Sequence, residues 1–321
     1  MSVHKNSLSF LLAGAISVAL IGGAAAQPKY PVSTVTLITD SSPGGGTDLY
    51  FREIIKYLKP EMGVNFVVQN VTAGGGAAAM SKAAQGKPDG SVFYGVTPSY
   101  VYMSLLSEVE HTYKDLQPVV NIFDDPVVVF TKADSPHKDL TALIAAAKDK
   151  PQKWAAGSPT SLSRIALEEL KRSTGAQAVI VPHDGGAEAL INVLNGSLDM
   201  GIGEIGEITA QVQAGKLRVL AALRENPMEQ YPDIATAKAQ GIPMVVRQFR
   251  GLTGPKGLPA DVIAAWEAAV PKVLEDPKFK EWYQNVSFVP SFLPHGEFET
   301  FINTFAESQR KTLVDVNIIK N

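Results

Sequence analysis

The chain has 321 residues, 45% hydrophobic and 19% charged, with a formal net charge of −3. That composition suits one large or two medium globular domains, and without a basic excess it gives no support to nucleic acid or an anionic membrane surface as partner. Cysteine is absent, which removes disulfides, thiolate chemistry and cysteine-held metals.

In chain order, residues 1–26 read as a cleaved signal peptide. His4 and Lys5 make a polar start, Leu8 to Ile21 is an apolar run, and Ala24-Ala25-Ala26 supplies a small-residue cleavage site before Gln27. The run is short and rich in Ala, Gly and Ser, which argues against a membrane-spanning anchor. No Cys follows it, so no lipid anchor is expected, and the mature protein is expected in the periplasm.

Beyond Gln27, strand-like and helix-like segments alternate, the mark of an α/β architecture with mostly parallel sheets. Val35 to Ile38 predicts the first strand, and the loop Ser42-Pro43-Gly44-Gly45-Gly46-Thr47-Asp48 follows it. Phe51, Ile54, Ile55 and Leu58 then share one helical face. A strand, a glycine turn and a helix N-terminus together make an anion receptor, because glycine admits close backbone approach and the helix end offers unpaired N–H donors. Phe66 to Val68 is the second strand, running through Asn70 to Gly74-Gly75-Gly76 and a helix over Ala77 to Ala84. Val92 to Tyr94 is the third, leading to Thr97-Pro98-Ser99. All three strands end in small polar or glycine residues, which an open α/β sheet gathers on its ligand-binding edge.

A second set begins after the turn-like Asp124-Asp125-Pro126, with strands at Val127 to Phe130, Trp154 to Ala156, Val179 to Val181, Leu198 to Ile202 and Leu217 to Ala222. Its loops carry Ser158, Thr160, Ser161 and Ser163, then His183-Asp184-Gly185-Gly186. The helix after the second loop is expected to bury Ala187, Leu190, Ile191 and Leu194. Met244 to Val246 predicts a further strand before Arg250-Gly251, and amphipathic helices at Val262 to Leu274 and Phe298 to Phe305 close the chain. Chain crossings between the two sets are expected near Asp125 and Arg250.

Gly201-Ile-Gly-Glu-Ile-Gly206 has the dinucleotide-binding spacing, but Glu204 and Glu207 at the turn would repel a pyrophosphate. Gly44 to Thr47 lacks the lysine of a nucleotide-binding P-loop. Asp48 reads either as a first-turn carboxylate that fixes the loop or as a group that orients a ligand. No nucleophile elbow or zinc-protease motif is present, and His111, His137, His183 and His295 lack metal-ligand spacing. No metal and no cofactor are therefore expected. Ser158 or Ser161 with His183 is the one arrangement open to hydrolysis, against the plainer reading of hydroxyls that bind a ligand or cap a helix. Arg250 reads as a surface residue or as a cleft residue that pairs with a carboxylate.

Taken together, Pro43-Gly-Gly-Gly-Thr-Asp48, Gln69-Asn70 with Ala73-Gly-Gly75, Lys87-Pro-Asp-Gly90, Val181-Pro-His-Asp-Gly-Gly186, Gly215-Lys-Leu-Arg218 and Gly251-Leu-Thr-Gly-Pro-Lys-Gly257 resemble, over the mature chain, the periplasmic solute receptors of tripartite tricarboxylate transporters, the Bug proteins. The resemblance implies a type II periplasmic-binding fold: two α/β domains joined by two crossing segments, with the ligand cleft between them. The expected organisation is 1–26 signal peptide, 27–126 plus 248–321 as one discontinuous domain, and 127–247 as the other. It further implies a non-enzymatic, monomeric receptor for a small organic mono-, di- or tricarboxylate, aromatic acids included, which it delivers to large and small membrane subunits. Carried over, Ser42, Gly44, Gly45 and Thr47 would face His183 and Gly185 around one carboxylate. Asn70, Gly75, Thr97, Ser99, Ser158, Thr160 and Ser161 would complete the wall. Asp48, Glu204 and Arg250 join the candidate site. Arg250 suits a second ligand carboxylate, whereas Glu204 and Asp184 suit an amine or hydroxyl, so the second ligand group stays open. A periplasmic sensor for a signalling receptor is a further alternative.

Overall fold

The computed structural model describes residues 30–183 and 186–320, so the expected signal peptide lies outside the described residues. In chain order the first elements are β1 (Thr34–Thr39), α1 (Gly46–Met62), β2 (Asn65–Asn70), α2 (Ala77–Ala84), β3 (Val92–Val96), α3 (Pro98–Leu106) and β4 (Leu116–Asp125). Next come β5 (Val127–Lys132), α4 (Leu140–Asp149), β6 (Gln152–Ala156), α5 (Leu162–Thr174), β7 (Ala178–Pro182), α6 (Gly186–Leu194), β8 (Met200–Glu204), α7 (Ile205–Gln213) and β9 (Leu217–Ala222). The last are β10 (Gln248–Pro255), α8 (Ala260–Leu274), α9 (Pro277–Asn285), β11 (Val289–Leu293) and α10 (His295–Asp315).

These strands make two sheets, in the orders β11-β4-β10-β3-β1-β2 and β7-β6-β8-β5-β9. β1 is parallel to β2 and β3, and β6 is parallel to β7 and β8, so the ends of each trio share one edge. The chain passes between the sheets at Pro126, between β4 and β5, and returns into β10. Helices on both faces of each sheet bury the strands, giving Trp266 and Phe123 to the first lobe and Trp154 and Phe130 to the second. α10 spans both lobes. Phe298 near its start is buried in the first and Leu313 near its end in the second, and Gln309 accepts a hydrogen bond from Tyr102 Oη at 2.8 Å.

Local chemistry explains most element ends. α1 presents Tyr50, Phe51, Ile54 and Leu58 to the core and stops at Gly63, whose φ of 67° suits a left-handed cap. Asp139 and Asp276 cap α4 and α9 through first-turn N–H groups. Three expectations fail. Met244 to Val246 is not a strand: its alternation puts Met244 and Val246 into the core and Val245 out, but Met244 N bonds Ile242 O and Val246 N bonds Leu223 O, with no ladder. The segment ending at Asp125 is the ten-residue interior strand β4, paired on both sides by β11 and β10, not a turn. Its polar residues masked it, yet Asn121 is buried there and donates through Nδ2 to Ser291 O at 2.7 Å. On α6 the buried residues are Ala189 and Val193, while Ile191 is exposed.

Candidate functional site

The loop after β1 closes on itself around Asp48. This carboxylate is 1% exposed and accepts from Gly44 N–H at 2.9 Å, from Arg52 Nη2 at 2.8 Å and from Asn70 Nδ2 at 2.9 Å. Asn70 Nδ2 also donates to Ser41 O at 2.8 Å, tying β2 to the loop. The Arg52 hydrogen bonds, with help from Gly44 and Asn70, hold the Asp48 carboxyl at about 2. Of the two roles left open for Asp48, the geometry shows the loop-fixing one. Gly44 adopts a φ of 83°, which L-side chains rarely take, and Gly45 N bonds Ser42 O at 2.9 Å. The first turn of α1 therefore opens at Gly46 with its Ncap, Gly45, giving no side-chain bond, the donor-rich end that an anion seeks.

Asp48→Asn is expected to cost about 1–3 kcal/mol, since it weakens a buried charge-assisted network. The sign is that of a depressed carboxyl. Wild type holds the contribution fully above the ordinary value of 3.8 and loses it as pH falls through about 2, so the two proteins should converge in acid. Urea titrations along the acid limb measure this, and parallel curves would refute it.

Beneath this helix end lies Arg250, 4% exposed. Its Nη2 and Nε donate to Asp125 Oδ2 at 2.5 and 3.0 Å, and Nη1 donates to Thr47 Oγ1 at 3.2 Å. A Cβ on Gly46 would lie 2.8 Å from Arg250 Nη2, so glycine is what lets the guanidinium pass under the loop. Arg250 thus pairs with a carboxylate of the chain itself. Burial lifts the Asp125 carboxyl to about 7, against the pull of Arg250.

A cavity of about 220 Å³ opens beside this group, lined by Ser99, Ser158, Ser161, Glu204, Glu207 and Gln248, among others. Of the predicted residues it gathers Ser99, Ser158, Ser161 and Glu204, but not the glycine loop, Asn70, Gly75 or Thr97. Gln248 Nε2 donates to Glu204 Oε1 at 2.8 Å, and the charges of Glu204 and Glu207 act on Arg250, so that one side chain links the cavity wall to the start of α1. Ser161 caps α5 by accepting from Arg164 N at 3.2 Å, and its Oγ meets Ser163 Oγ at 3.1 Å. Thr160 is half-buried in the loop before it, Thr97 is the Ncap of α3, and Gly75 lies in a left-handed turn with φ 61°.

His183 meets Asn192 Nδ2 at 3.2 Å through Nε2 and Ala156 O at 3.1 Å through Nδ1. An amide N–H donating to Nε2 leaves the proton on Nδ1, so neither nitrogen is free to activate a serine, and the hydrolase alternative is not supported. His183 N–H is also turned inward, to Gly157 O at 3.4 Å. Gly185 lies outside the described residues. Glu207, Gln248 and Asp125 were missed as site residues. Glu207 had drawn notice only for repelling phosphate, and Asp125 only as part of a turn and a chain crossing.

The glycines of Gly201 to Gly206 have packing reasons. A Cβ on Gly201 would meet Phe130 Cζ at 2.7 Å, and one on Gly206 would collide with Val286 O. No phosphate is needed to explain them.

Two α/β lobes crossed by the chain, with the ends of their parallel strands at the cleft, define a solute-binding fold of the type II periplasmic class. Residues 50–317 match the model of the tripartite tricarboxylate transporter family receptors, and the chain belongs to that family. It is 26% identical to BugT of Bordetella pertussis over 288 residues, covering 88% of this chain and 86% of BugT. A Rhodopseudomonas palustris protein solved with adipate superposes with a TM-score of 0.82 at 21% identity, over 90% of this chain and 98% of that one. MatC of the same species, solved with malate, gives 0.76 at 22% identity, over 89% and 99%.

Proposed function

We propose that this protein is a periplasmic solute receptor that closes on a small organic carboxylate and presents it to the membrane subunits of a tripartite tricarboxylate-type transporter. The observation that carries this reading is the family match over residues 50–317, to which the donor-rich start of α1 at the cleft adds a physical basis. The lobes are 27–126 with 248–321 and 127–247, and they hinge at Pro126 and ahead of Gln248. Residues 1–26 direct export and are removed. The carboxylate sits at the first turn of α1, on the N–H groups of Gly46 and Thr47, with Ser42 and Gly45 shaping the loop. Ser99, Ser158, Thr160 and Ser161 offer hydroxyls from the opposite wall. Each bond from a backbone N–H to a charged carboxylate contributes about 1.5–3 kcal/mol, so a few give micromolar affinity. Catalysis has no place in this scheme, because both ring nitrogens of His183 are already engaged and it cannot serve Ser158 or Ser161 as a base. The dicarboxylates held by two proteins of the same fold agree with the ligand class.

Thermal unfolding against a panel of mono-, di- and tricarboxylates tests the reading. An acid at a hundred times its dissociation constant should add about 2.7 kcal/mol of stability. Response to sugars alone would refute it.

A further inference from the structure

Resting on that reading for the carboxylate end, we infer that the far end of the ligand is a protonated amine held by Glu204, Glu207 and Gln248, so that the solute is an amino acid whose nitrogen and carboxylate are recognised at opposite walls. The cavity lining holds two carboxylates and no lysine or arginine. The cation whose charge reaches both glutamates, Arg250, already spends Nε and Nη2 on Asp125 and Nη1 on Thr47. One guanidinium is thus shared among four carboxyl groups, those of Asp40, Asp125, Glu204 and Glu207. A diacid would bring a further negative charge against this wall, whereas an ammonium would neutralise it.

Gln248 is an independent pointer to the same group. It is 7% exposed and lines the cavity, and its Oε1 is buried with no hydrogen-bond partner among the described residues. Its amide orientation follows from chemistry: Nε2 faces the Glu204 carboxylate, so Oε1 is left as an acceptor. The Glu204 carboxylate and Gln248 Oε1 are therefore acceptors facing the cavity, and an ammonium carries three donors and no acceptor. The charge of Glu204, followed by burial, lifts the Glu207 carboxyl to about 8 against the pull of Arg250, so Glu207 holds a proton at neutral pH that a bound cation would draw off.

Isothermal titration of the full mature chain tests the inference with matched ligands. β-Alanine, 4-aminobutanoate, 5-aminopentanoate and 6-aminohexanoate would be set beside malonate, succinate, glutarate and adipate. The best amino acid should bind at least about tenfold tighter than the diacid of equal length, and Glu204→Gln should narrow that gap. A diacid that binds as tightly or tighter overturns the inference while leaving the carboxylate reading intact. Binding of pentylamine as tight as that of 5-aminopentanoate supports the amine wall and refutes the carboxylate end. Silence from every ligand overturns both.

Discussion

Arg250→Met is expected to cost about 3–5 kcal/mol, the usual penalty for leaving a buried charge without its partner. Asp125 is 3% exposed, and its Oδ1 already lacks a hydrogen bond, so losing the guanidinium takes away the bonds to Oδ2 as well. Glu204 and Glu207 lose the same cation. The cost should depend on pH. In wild type burial lifts Asp125 to about 7, so the native state holds a proton that the unfolded chain releases near 3.8. That contribution is present at low pH and lost as pH rises through 7. Without Arg250 the carboxyl rises further and stays neutral in mild acid, so the variant's deficit should be larger at pH 8 than at pH 5.5. Pairing Arg250→Met with Asp125→Leu should recover much of the loss, because an apolar pair of similar volume replaces a buried ion pair at little cost. Urea unfolding of the three proteins at both pH values decides it. A single variant as stable as wild type would show that the pair is not integral to the fold.

How far the residues alone disclosed this arrangement follows from the range of each interaction. The Pro43 to Asp48 loop and the face of α1 were legible because a helical period and glycine turns are written in consecutive residues. α2 was legible from Ala77 to Ala84 for the same reason. β4 was not, since Asn121 and Asp125 look like turn residues until Ser291 and Arg250 arrive from far along the chain. α10 was expected only over Phe298 to Phe305, yet it runs from His295 to Asp315 because its polar last turns gain burial from Leu313 in the second lobe. The site divided the same way. Its loops were placed by strand-end chemistry, but whether Asp48 fixed the loop, and whether Arg250 was free, depended on Asn70 and Asp125. The acidic wall stayed hidden because Gln248 and Glu204 are brought together only by the crossing into β10.

Gly206→Ala should separate the stability of the lobes from their closure. Gly206 lies in the first turn of α7, and the one atom group that a Cβ there would meet is the Val286 backbone at the end of α9. Nothing in its own lobe stands in the way, so that lobe gains what alanine adds to a helix, up to about 1 kcal/mol. The collision is with a carbonyl oxygen, which cannot rotate aside as a side-chain tip can. Neighbouring contacts cross the same seam. Gln230 Nε2 donates to Gln284 O at 3.0 Å, and Tyr231 Oη meets Ser287 Oγ at 3.2 Å. Ser287, 2% exposed, is held at a φ of 63°, a left-handed conformation that serine adopts only where its surroundings impose it. The segment 284–287 is thus a surface of the first lobe against which the second lobe packs. Overpacking such a contact costs about 1–3 kcal/mol, and each 1.4 kcal/mol taken from the closed state is about tenfold in ligand affinity. The expected outcome is an unfolding midpoint at or above that of wild type, with binding about five- to hundredfold weaker. Small-angle scattering with saturating ligand should show a larger radius of gyration than wild type. Wild-type affinity and compaction in Gly206→Ala would mean that the seam opens and closes without α7 meeting Val286, and that ligand capture rests on the loops alone.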